Sequence, residues 1–169
     1  MDTFNTIISR RSIRKYKKQK VEKEKIDLIL KAAMYAPSAF NLQPWEFIVV
    51  DDEKIFPHLY KAVPHAEMIL QASHAVIICC NTDIEKNIQL GIQNISAAAQ
   101  NMLLEIHELG LGGCWIGVYP FDEIVDAVKN YFNLPGNIIP AVIISIGCPD
   151  ESPETVERFK EEKIHLNKW

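Results

Sequence analysis

A short basic segment near the amino terminus has residue types and spacing that could bind a charged ligand. Residues 10–20 hold Arg10, Arg11, Arg14 and four lysines, and they contain no acidic residue. Arginine presents a planar fork of donors that matches the oxygens of a phosphate, and Ser12 adds a hydroxyl donor. The segment therefore fits a phosphate-bearing ligand. On charge alone, a solvated loop is a slightly better explanation.

The charge of the rest of the chain restricts the kind of anion. The net charge is −4, and residues 10–20 contribute seven of the 18 basic residues, which leaves 11 basic against 22 acidic residues elsewhere. A protein with this balance is a poor general binder of nucleic acid. We therefore expect one specific small anion and no nucleic-acid partner.

Other common site chemistries find little support in the sequence. The five histidines and four cysteines show no zinc-ligand spacing, so no metal is expected. No G-x-S-x-G turn is present to carry a nucleophilic serine. Residues 110–113 contain three glycines, but they follow a predicted helix and precede a strand, which is the wrong order for a dinucleotide-binding turn.

Hydrophobic periodicity predicts alternating helices and strands. Apolar spacing of three and four residues indicates helices, and short runs of branched and aromatic residues indicate strands. Together they predict a layered α/β or α+β domain with undetermined strand order. The expected helices cover 3–9, 22–35, 53–62, 84–109 and 122–132, and the expected strands cover 46–50, 75–80, 114–118 and 141–146.

Length and composition predict one domain over residues 1–169, with apolar residues forming 48% of the chain. No secretory signal and no apolar stretch of membrane-spanning length is evident, so a cytoplasmic protein without membrane contact is expected. Cys79, Cys80, Cys114 and Cys148 show no C-x-x-C pairing, and three of them lie in apolar runs. We expect buried, reduced thiols.

Five blocks of the sequence together resemble the nitroreductase family of FMN-dependent oxidoreductases. They occur in the family's order and span nearly the whole chain, and the first two are specific as a pair. The blocks are RRSIRKY at 10–16, APSAFNLQPWEFIVV at 36–50, SAAAQNMLL at 96–104, GLGGCWIG at 110–117 and AVIISIG at 141–147.

This resemblance implies an α+β fold with a central mixed sheet wrapped by helices. It also implies an intertwined homodimer with two FMN molecules at the subunit interface. NAD(P)H would be the co-substrate that reduces the flavin. The expected acceptors are small molecules such as nitroaromatics, quinones or free flavins.

The resemblance also assigns cofactor-binding roles to particular residues. The phosphate and nearby flavin groups would be held by Arg10, Arg11, Ser12 and Arg14. Residues facing the flavin of the other subunit would be Pro37, Ser38, Ala39 and Asn41. The segment against the ring would comprise Trp115, Ile116 and Gly117. A basic residue near the carboxyl terminus would close the phosphate site, with Arg158 preferred and Lys160 as the alternative.

Two departures from the family pattern bear on the substrate. His65 and Met68 stand where relatives often carry an asparagine and a lysine near the flavin. His65 can still donate a hydrogen bond, whereas Met68 cannot supply positive charge. The chain is also short for the family, which leaves little room for helices that cover the substrate pocket. Another flavin reaction, such as dehalogenation or metabolite dehydrogenation, and a non-enzymatic flavin-storage role therefore remain alternatives.

Overall fold

A four-stranded antiparallel sheet forms the centre of the computed structural model, which describes residues 2–169. The strands lie in the order β1-β2-β4-β3. Their bounds are β1 Trp45–Val50, β2 His74–Asn81, β3 Gly112–Gly117 and β4 Ile138–Gly147. The helices are α1 Thr3–Ser9, α2 Lys23–Met34, α3 Phe56–Ala62, α4 Ile88–Glu108 and α5 Asp122–Phe132, with 3₁₀ turns at Ala39–Asn41, Glu67–Gln71 and Glu161–Lys163.

The expected α+β class is correct, but the expected mixed strand direction is not found among the four strands. β1 pairs with β2, β2 with β4, and β3 with β4, and every pairing is antiparallel. A single parallel bridge joins Ser12 to Gly113 at the outer edge of β3. The basic segment therefore provides this parallel interaction with β3, and its extended part is too short to form a strand.

The two central strands are covered on both faces, as their continuous apolar sequences predict. Alternate side chains of a strand point to opposite faces. Val76, Ile78 and Cys80 pack with α2 and α4, whereas Ala75, Ile77 and Cys79 pack with α3 and α5. The sheet is thus the middle layer of three, and it has a hydrophobic core on each side.

Pro140 lies inside β4 despite lacking a backbone donor. The register between β2 and β4 shifts at this point, since Ile78 pairs with Val142 while Cys79 pairs with Pro140. A proline is tolerated within a sheet where a bulge already interrupts the ladder. The proline therefore leaves a ten-residue central strand intact.

Helix α4 begins later than its periodicity predicts, because Asn87 caps it. The Asn87 side chain accepts hydrogen bonds from the backbone N–H groups of Gln89 and Leu90. At the other end, Leu111 N–H donates to Ile106 C=O across Gly110, which has φ of +72°. This is the glycine-dependent ending that the sequence predicts, and it directs the chain into β3.

Residues 151–169 form a carboxyl-terminal segment that crosses the surface without joining the sheet. Its only regular structure is the 3₁₀ turn at Glu161–Lys163, and residues 152–169 are all exposed. Several of its exposed side chains are large and apolar, namely Val156, Phe159, Ile164, Leu166 and Trp169. Such a run is unusual on a free surface, and it indicates a segment suited to covering another surface.

Candidate functional site

The basic segment is fixed along the outer edge of β3 by two buried side chains. Ile13 N–H donates to Gly113 C=O at 3.0 Å, and Tyr16 forms a bridge with Pro149. The Tyr16 hydroxyl donates to Ile13 C=O at 2.7 Å. Because both anchors point inward, the arginines between and before them occupy defined positions rather than those of a flexible loop.

Arg10 lies in a cluster of like charge. Burial is the largest cause of a lowered Arg10 pKa, and the guanidinium groups of Arg158 and Arg11 lower that pKa further. The described part of the chain gives Arg10 and Arg158 no ion-pair partner. Several cations held together without an acid favour a bound anion, because an anion removes their mutual repulsion. Arg158, from the far end of the chain, thus lies close enough to Arg10 to influence its pKa.

Arg11 makes contacts of a different kind. Its guanidinium donates to three backbone carbonyls, those of Ile8 at 2.8 Å, Arg10 at 2.7 Å and Glu154 at 3.1 Å. Its Nη2 atom is buried and has no hydrogen-bond partner in the structure. Arg11 thus ties the carboxyl-terminal segment to the end of α1, and these contacts fit a positioning role better than direct contact with a phosphate.

A cavity of about 400 Å³ opens beside the basic segment, in front of β3. It brings together four residues of the matched sequence blocks with the two residues that depart from the family pattern. Those residues are Arg14, His65, Met68, Trp115, Ile116 and Gly117. The remaining lining is Val63, Cys114, Phe121 and Ile124, which is mostly apolar. An apolar slot with a few polar groups at its edge fits a flat organic ring.

The backbone of β3 supplies polar groups to this cavity. β3 is an edge strand whose inner side pairs with β4. Gly113 C=O points outward, because it accepts from Ile13 N–H. Alternate residues of a strand direct their backbone groups to the same side, so the N–H and C=O groups of Trp115 and Gly117 also point outward. Beyond the single bridge, this edge therefore offers backbone donors to a ligand.

Gly117 keeps the edge of the cavity open. A Cβ atom built on Gly117 would have no heavy atom within 4 Å, so the space in front of it is empty. By contrast, a Cβ atom at Gly112 would lie 2.7 Å from the Ile13 side chain. Packing therefore does not require a glycine at Gly117, whereas it does require one at Gly112. Because Gly117 has no side chain, a ligand can approach the backbone closely at this position.

Cys114 is a lining residue that the sequence analysis did not select. Burial raises the pKa of its thiol, while Arg14, a hydrogen bond with Ser12 and Arg10 act in the opposite direction. The thiol therefore lies near both Ser12 and the arginines of the basic segment. Its place in the same sequence block as Trp115, directly before that residue, was the available signal. The expectation of free thiols is confirmed for all four cysteines, with Cys148 only half-buried.

Pro37, Ser38, Ala39 and Asn41 are not part of this cavity. Ala39 N–H donates to the Asn94 side-chain oxygen at 2.9 Å, and Gln43 N–H donates to Ser38 Oγ at 3.0 Å. Phe40, Asn41 and Gln43 adopt positive φ values near +50°, a conformation that side chains disfavour. The loop is thus held in one shape, and its Phe40 side chain is 87% exposed.

Lys160 is not among the groups that influence the pKa of Arg10. It precedes the 3₁₀ turn at Glu161–Lys163 and is exposed. Arg158, the preferred alternative, does influence Arg10. The electrostatic contacts therefore separate the two basic residues that the sequence left open.

The described residues offer little support for other kinds of site. Within residues 2–169, no group of three or more histidine, cysteine or acidic residues could hold a metal ion. No helix in that range is long and apolar enough to cross a membrane. A groove of about 440 Å³ between α1, α2 and α4 is lined by no lysine or arginine, so it does not suit a phosphate.

Taken together, an α+β sandwich with an arginine cluster beside a ring-sized cavity defines a protein that could hold a flat, phosphate-bearing cofactor. Comparison with known proteins gives the family. The Nitroreductase family profile matches residues 7–77 and 82–148. The chain belongs to the nitroreductase family.

Individual relatives agree with this assignment. A protein of Methanothermobacter thermautotrophicus that bears an NADH dehydrogenase/NAD(P)H nitroreductase name is 42% identical over 169 residues, covering all of this chain and 88% of the relative. The solved structure of an FMN-dependent nitroreductase from Clostridium difficile R20291 is 36% identical with a TM-score of 0.92, and the match covers 99% of this chain and 100% of the other. The NADPH-flavin oxidoreductase of Vibrio harveyi is 25% identical over 181 residues, covering 99% of this chain and 75% of the relative.

Proposed function

We propose that the protein is an FMN-dependent NAD(P)H oxidoreductase. The observation that carries the proposal is the juxtaposition of an arginine cluster without acidic partners and a ring-sized cavity edged by backbone donors. A phosphate needs the first and an isoalloxazine ring needs the second. Relatives named FMN reductase and NADPH-flavin oxidoreductase support the same cofactor and reductant.

Different residues of this chain would bind the phosphate and the ring of FMN. Arg10, Ser12 and Arg158 would hold the phosphate, and Arg11 would keep the carboxyl-terminal segment beside them. Trp115, Ile116 and Gly117 would lie against the ring, with the outward backbone groups of β3 at its polar edge. Arg14 and His65 would serve the remaining polar atoms from the other side of the cavity. Lys160 stays a weaker alternative to Arg158.

When bound, FMN would supply the chemistry of hydride transfer between NAD(P)H and an acceptor. The chain's part is to hold the ring and to leave one face open. Arg14 places a positive charge at the cavity, which favours the negative charge that a hydride brings. No acid–base pair is needed for this chemistry, which agrees with a cavity lining that contains no carboxylate.

The acceptor would be a small planar molecule that enters after the oxidised nicotinamide leaves. The cavity is partly open and is lined by apolar groups such as Val63, Phe121 and Ile124. Shape and apolar contact, rather than many specific hydrogen bonds, would then select the acceptor. We therefore propose that the acceptors are planar molecules such as nitroaromatics, quinones or free flavins.

A homodimer would complete the site. The loop at 37–41 lies outside the cavity of its own chain, yet Asn94 holds it in a fixed shape with Phe40 exposed. A loop held in this way fits a role in which it covers the flavin of a partner subunit. The exposed apolar side chains of residues 151–169 would be buried in the same assembly. Free cysteines agree with the cytoplasmic location that we propose.

Two measurements test the proposed function. The purified protein should be yellow, and heating should release a flavin that carries a phosphate. Rapid anaerobic mixing with NADH and with NADPH should then bleach the bound flavin. A flavin that binds tightly but is bleached by neither reductant would identify a storage protein and would rule out the reductase.

A further inference from the structure

A second basic hollow lies next to the site, formed by the four residues that follow Tyr16 and by the end of the 3₁₀ turn at Glu67–Gln71. Its volume is about 520 Å³, within the range of small-molecule sites, roughly 300–1,000 Å³. Residues 17–20 form one wall, and we call this hollow the lysine groove. Its lining is Tyr16, Lys17, Lys18, Gln19, Lys20, Glu53, Leu70, Gln71, Ala72 and Ser73.

The charge of the lysine groove is strongly positive for a protein of net charge −4. Three lysines and one carboxylate, that of Glu53, line it, which leaves an excess of two positive charges. Within the described part of the chain, Lys17, Lys18 and Lys20 form no ion pair. The proposed flavin site does not use these lysines, so their charge is available for another ligand.

The backbone that carries the lysines is anchored at both ends. Lys17 N–H donates to Cys148 C=O at 2.8 Å, and the buried Tyr16 precedes it. At the other end, Val21 is buried and its N–H donates to Ser73 Oγ at 2.8 Å. The three lysines are therefore presented from a fixed loop, which lowers the entropy lost when they gather around an anion.

Neutral hydrogen-bonding groups accompany the charge. Gln71 and Ser73 line the groove together with the lysines. Ser73 Oγ lies 2.9 Å from His74 Nδ1. Burial is the largest cause of a lowered His74 pKa; the Asp51 carboxylate raises that pKa, and the nearby Lys20 lowers it. His74 therefore reports on the charge within the groove, because an anion beside Lys20 would reduce that effect.

The lysine groove is distinct from the flavin cavity. A small apolar cluster of Ile13, Tyr16, Ala72 and Met68 separates them. Met68 faces the flavin cavity, whereas Tyr16 and Ala72 face the groove. Apart from sharing this wall, the two sites have no lining residue in common. Occupation of one leaves room for occupation of the other.

We propose that the lysine groove is a second anion site, which binds the phosphates of a nucleotide. Ammonium groups suit a phosphate chain because each acts as a compact point charge without a fixed orientation. The volume accommodates more than one phosphate. The excess of two positive charges also matches the negative charge of a diphosphate. The source is either the phosphate-bearing end of NAD(P)H or a separate free nucleotide.

The test uses inorganic pyrophosphate as the probe and full-length protein saturated with FMN. Calorimetry should detect binding that weakens as salt rises, because salt screens exposed charges. The combined variant Lys17→Gln, Lys18→Gln, Lys20→Gln should bind at least about 10-fold more weakly, since each lost bond to a charged group is significant. A matched variant, Lys31→Gln, Lys61→Gln, Lys86→Gln, removes the same charge elsewhere and should bind like the original protein.

The Arg10→Ala variant separates this site from the proposed flavin phosphate site. Pyrophosphate binding that persists in Arg10→Ala and disappears in the lysine variant supports the lysine groove, whether or not FMN binds as proposed. Pyrophosphate should also shift the ring NMR signals of His74, which a His74→Gln variant would assign. Equal affinity in the lysine variant and its matched control, or no binding at low salt, would overturn the proposal.

Kinetics then distinguish the two sources of phosphate. If the ligand is the reductant, the lysine variant should show a raised KM for NADPH with kcat nearly unchanged, and pyrophosphate should compete with NADPH. If the ligand is a free nucleotide, ATP should bind the groove in place of pyrophosphate while the KM for NADPH stays the same. Either result supports the site and identifies its occupant.

Discussion

At the scale of single residues, the basic segment separates into side chains with different tasks. Arg10 and Arg158 form a cluster without an acidic partner, and Arg14 lines the cavity. Arg11, although adjacent in sequence, donates to backbone carbonyls. The arginines of this segment are therefore not interchangeable, because the role of each depends on the groups that its guanidinium contacts.

Replacement of Arg10 by alanine should weaken FMN binding by about 10- to 100-fold, the equivalent of one hydrogen bond to a charged group, about 1.5–3 kcal/mol. Fluorescence titration of the apoprotein with FMN measures the dissociation constant. Lys31→Ala removes a positive charge from the surface of α2 and serves as the control. An unchanged constant in Arg10→Ala would contradict the placement of the phosphate.

Met68 offers a test of charge at the ring. A Met68→Lys variant adds a cation to the cavity lining, so reduction of the bound flavin should become easier. The midpoint potential should rise by about 30 mV, which for a two-electron couple corresponds to about 1.4 kcal/mol. Spectroelectrochemical titration gives the potential, and Met68→Gln controls for shape. Equal potentials in the two variants would place Met68 away from the flavin.

At the scale of elements, the outer edge of β3 has two parts with different functions. Its first residues receive the basic segment, with Gly113 C=O accepting from Ile13 N–H. Its later residues remain unpaired on that side and border the cavity. The glycines follow this division, since Gly112 provides room for Ile13 and Gly117 faces open space.

Alanine substitutions along β3 should separate folding from binding. Gly112→Ala brings a Cβ atom to 2.7 Å from Ile13 and should cost about 1–3 kcal/mol of unfolding free energy through overpacking. Gly117→Ala should leave the unfolding free energy of the apoprotein nearly unchanged but weaken FMN binding. Urea denaturation and FMN titration provide the two measurements.

Gly136→Ala is the control for both substitutions, since its Cβ atom would also meet nothing within 4 Å and it lies outside the cavity. It should alter neither stability nor FMN affinity. Full FMN affinity in Gly117→Ala would show that the flavin does not approach this part of the strand.

At the scale of the whole molecule, one chain leaves a fixed loop and an apolar surface uncovered. The loop at 37–41 lies outside the cavity of its own chain, and residues 152–169 are exposed along their entire length. A homodimer would resolve both features, because one subunit's loop could reach the other's flavin while the apolar side chains become buried.

Interference with the carboxyl-terminal segment should therefore disrupt both assembly and cofactor binding. Phe159→Ser removes an exposed apolar side chain, 73% of whose surface is accessible in the single chain. Its dimer should dissociate at least about 10-fold more readily, as for an interface residue worth more than about 1 kcal/mol. Sedimentation at several protein concentrations gives the constant. Lys163→Ser is the control, and a concentration-independent monomer that retains FMN would contradict the dimer.

The sequence alone determined the elements and the chemistry of the basic segment. Hydrophobic patterns located the five α-helices and four strands found within residues 2–169, because burial on one face or both faces leaves a regular pattern. The residue types also predicted a phosphate ligand, since donor chemistry belongs to the side chains themselves. Boundaries moved where a local interaction intervened, as at Asn87, whose side chain sets the start of α4.

Only the tertiary structure decided which residues meet. The antiparallel order of the strands, the approach of Arg158 to Arg10, the participation of Cys114 and the support of the loop by Asn94 all join distant parts of the chain. Side-chain alternation and spacing carry no record of such long-range contacts. The same limit applies to Lys17, Lys18 and Lys20, which look like solvated charge in the sequence and form one wall of a groove only after the end of the 3₁₀ turn packs opposite them.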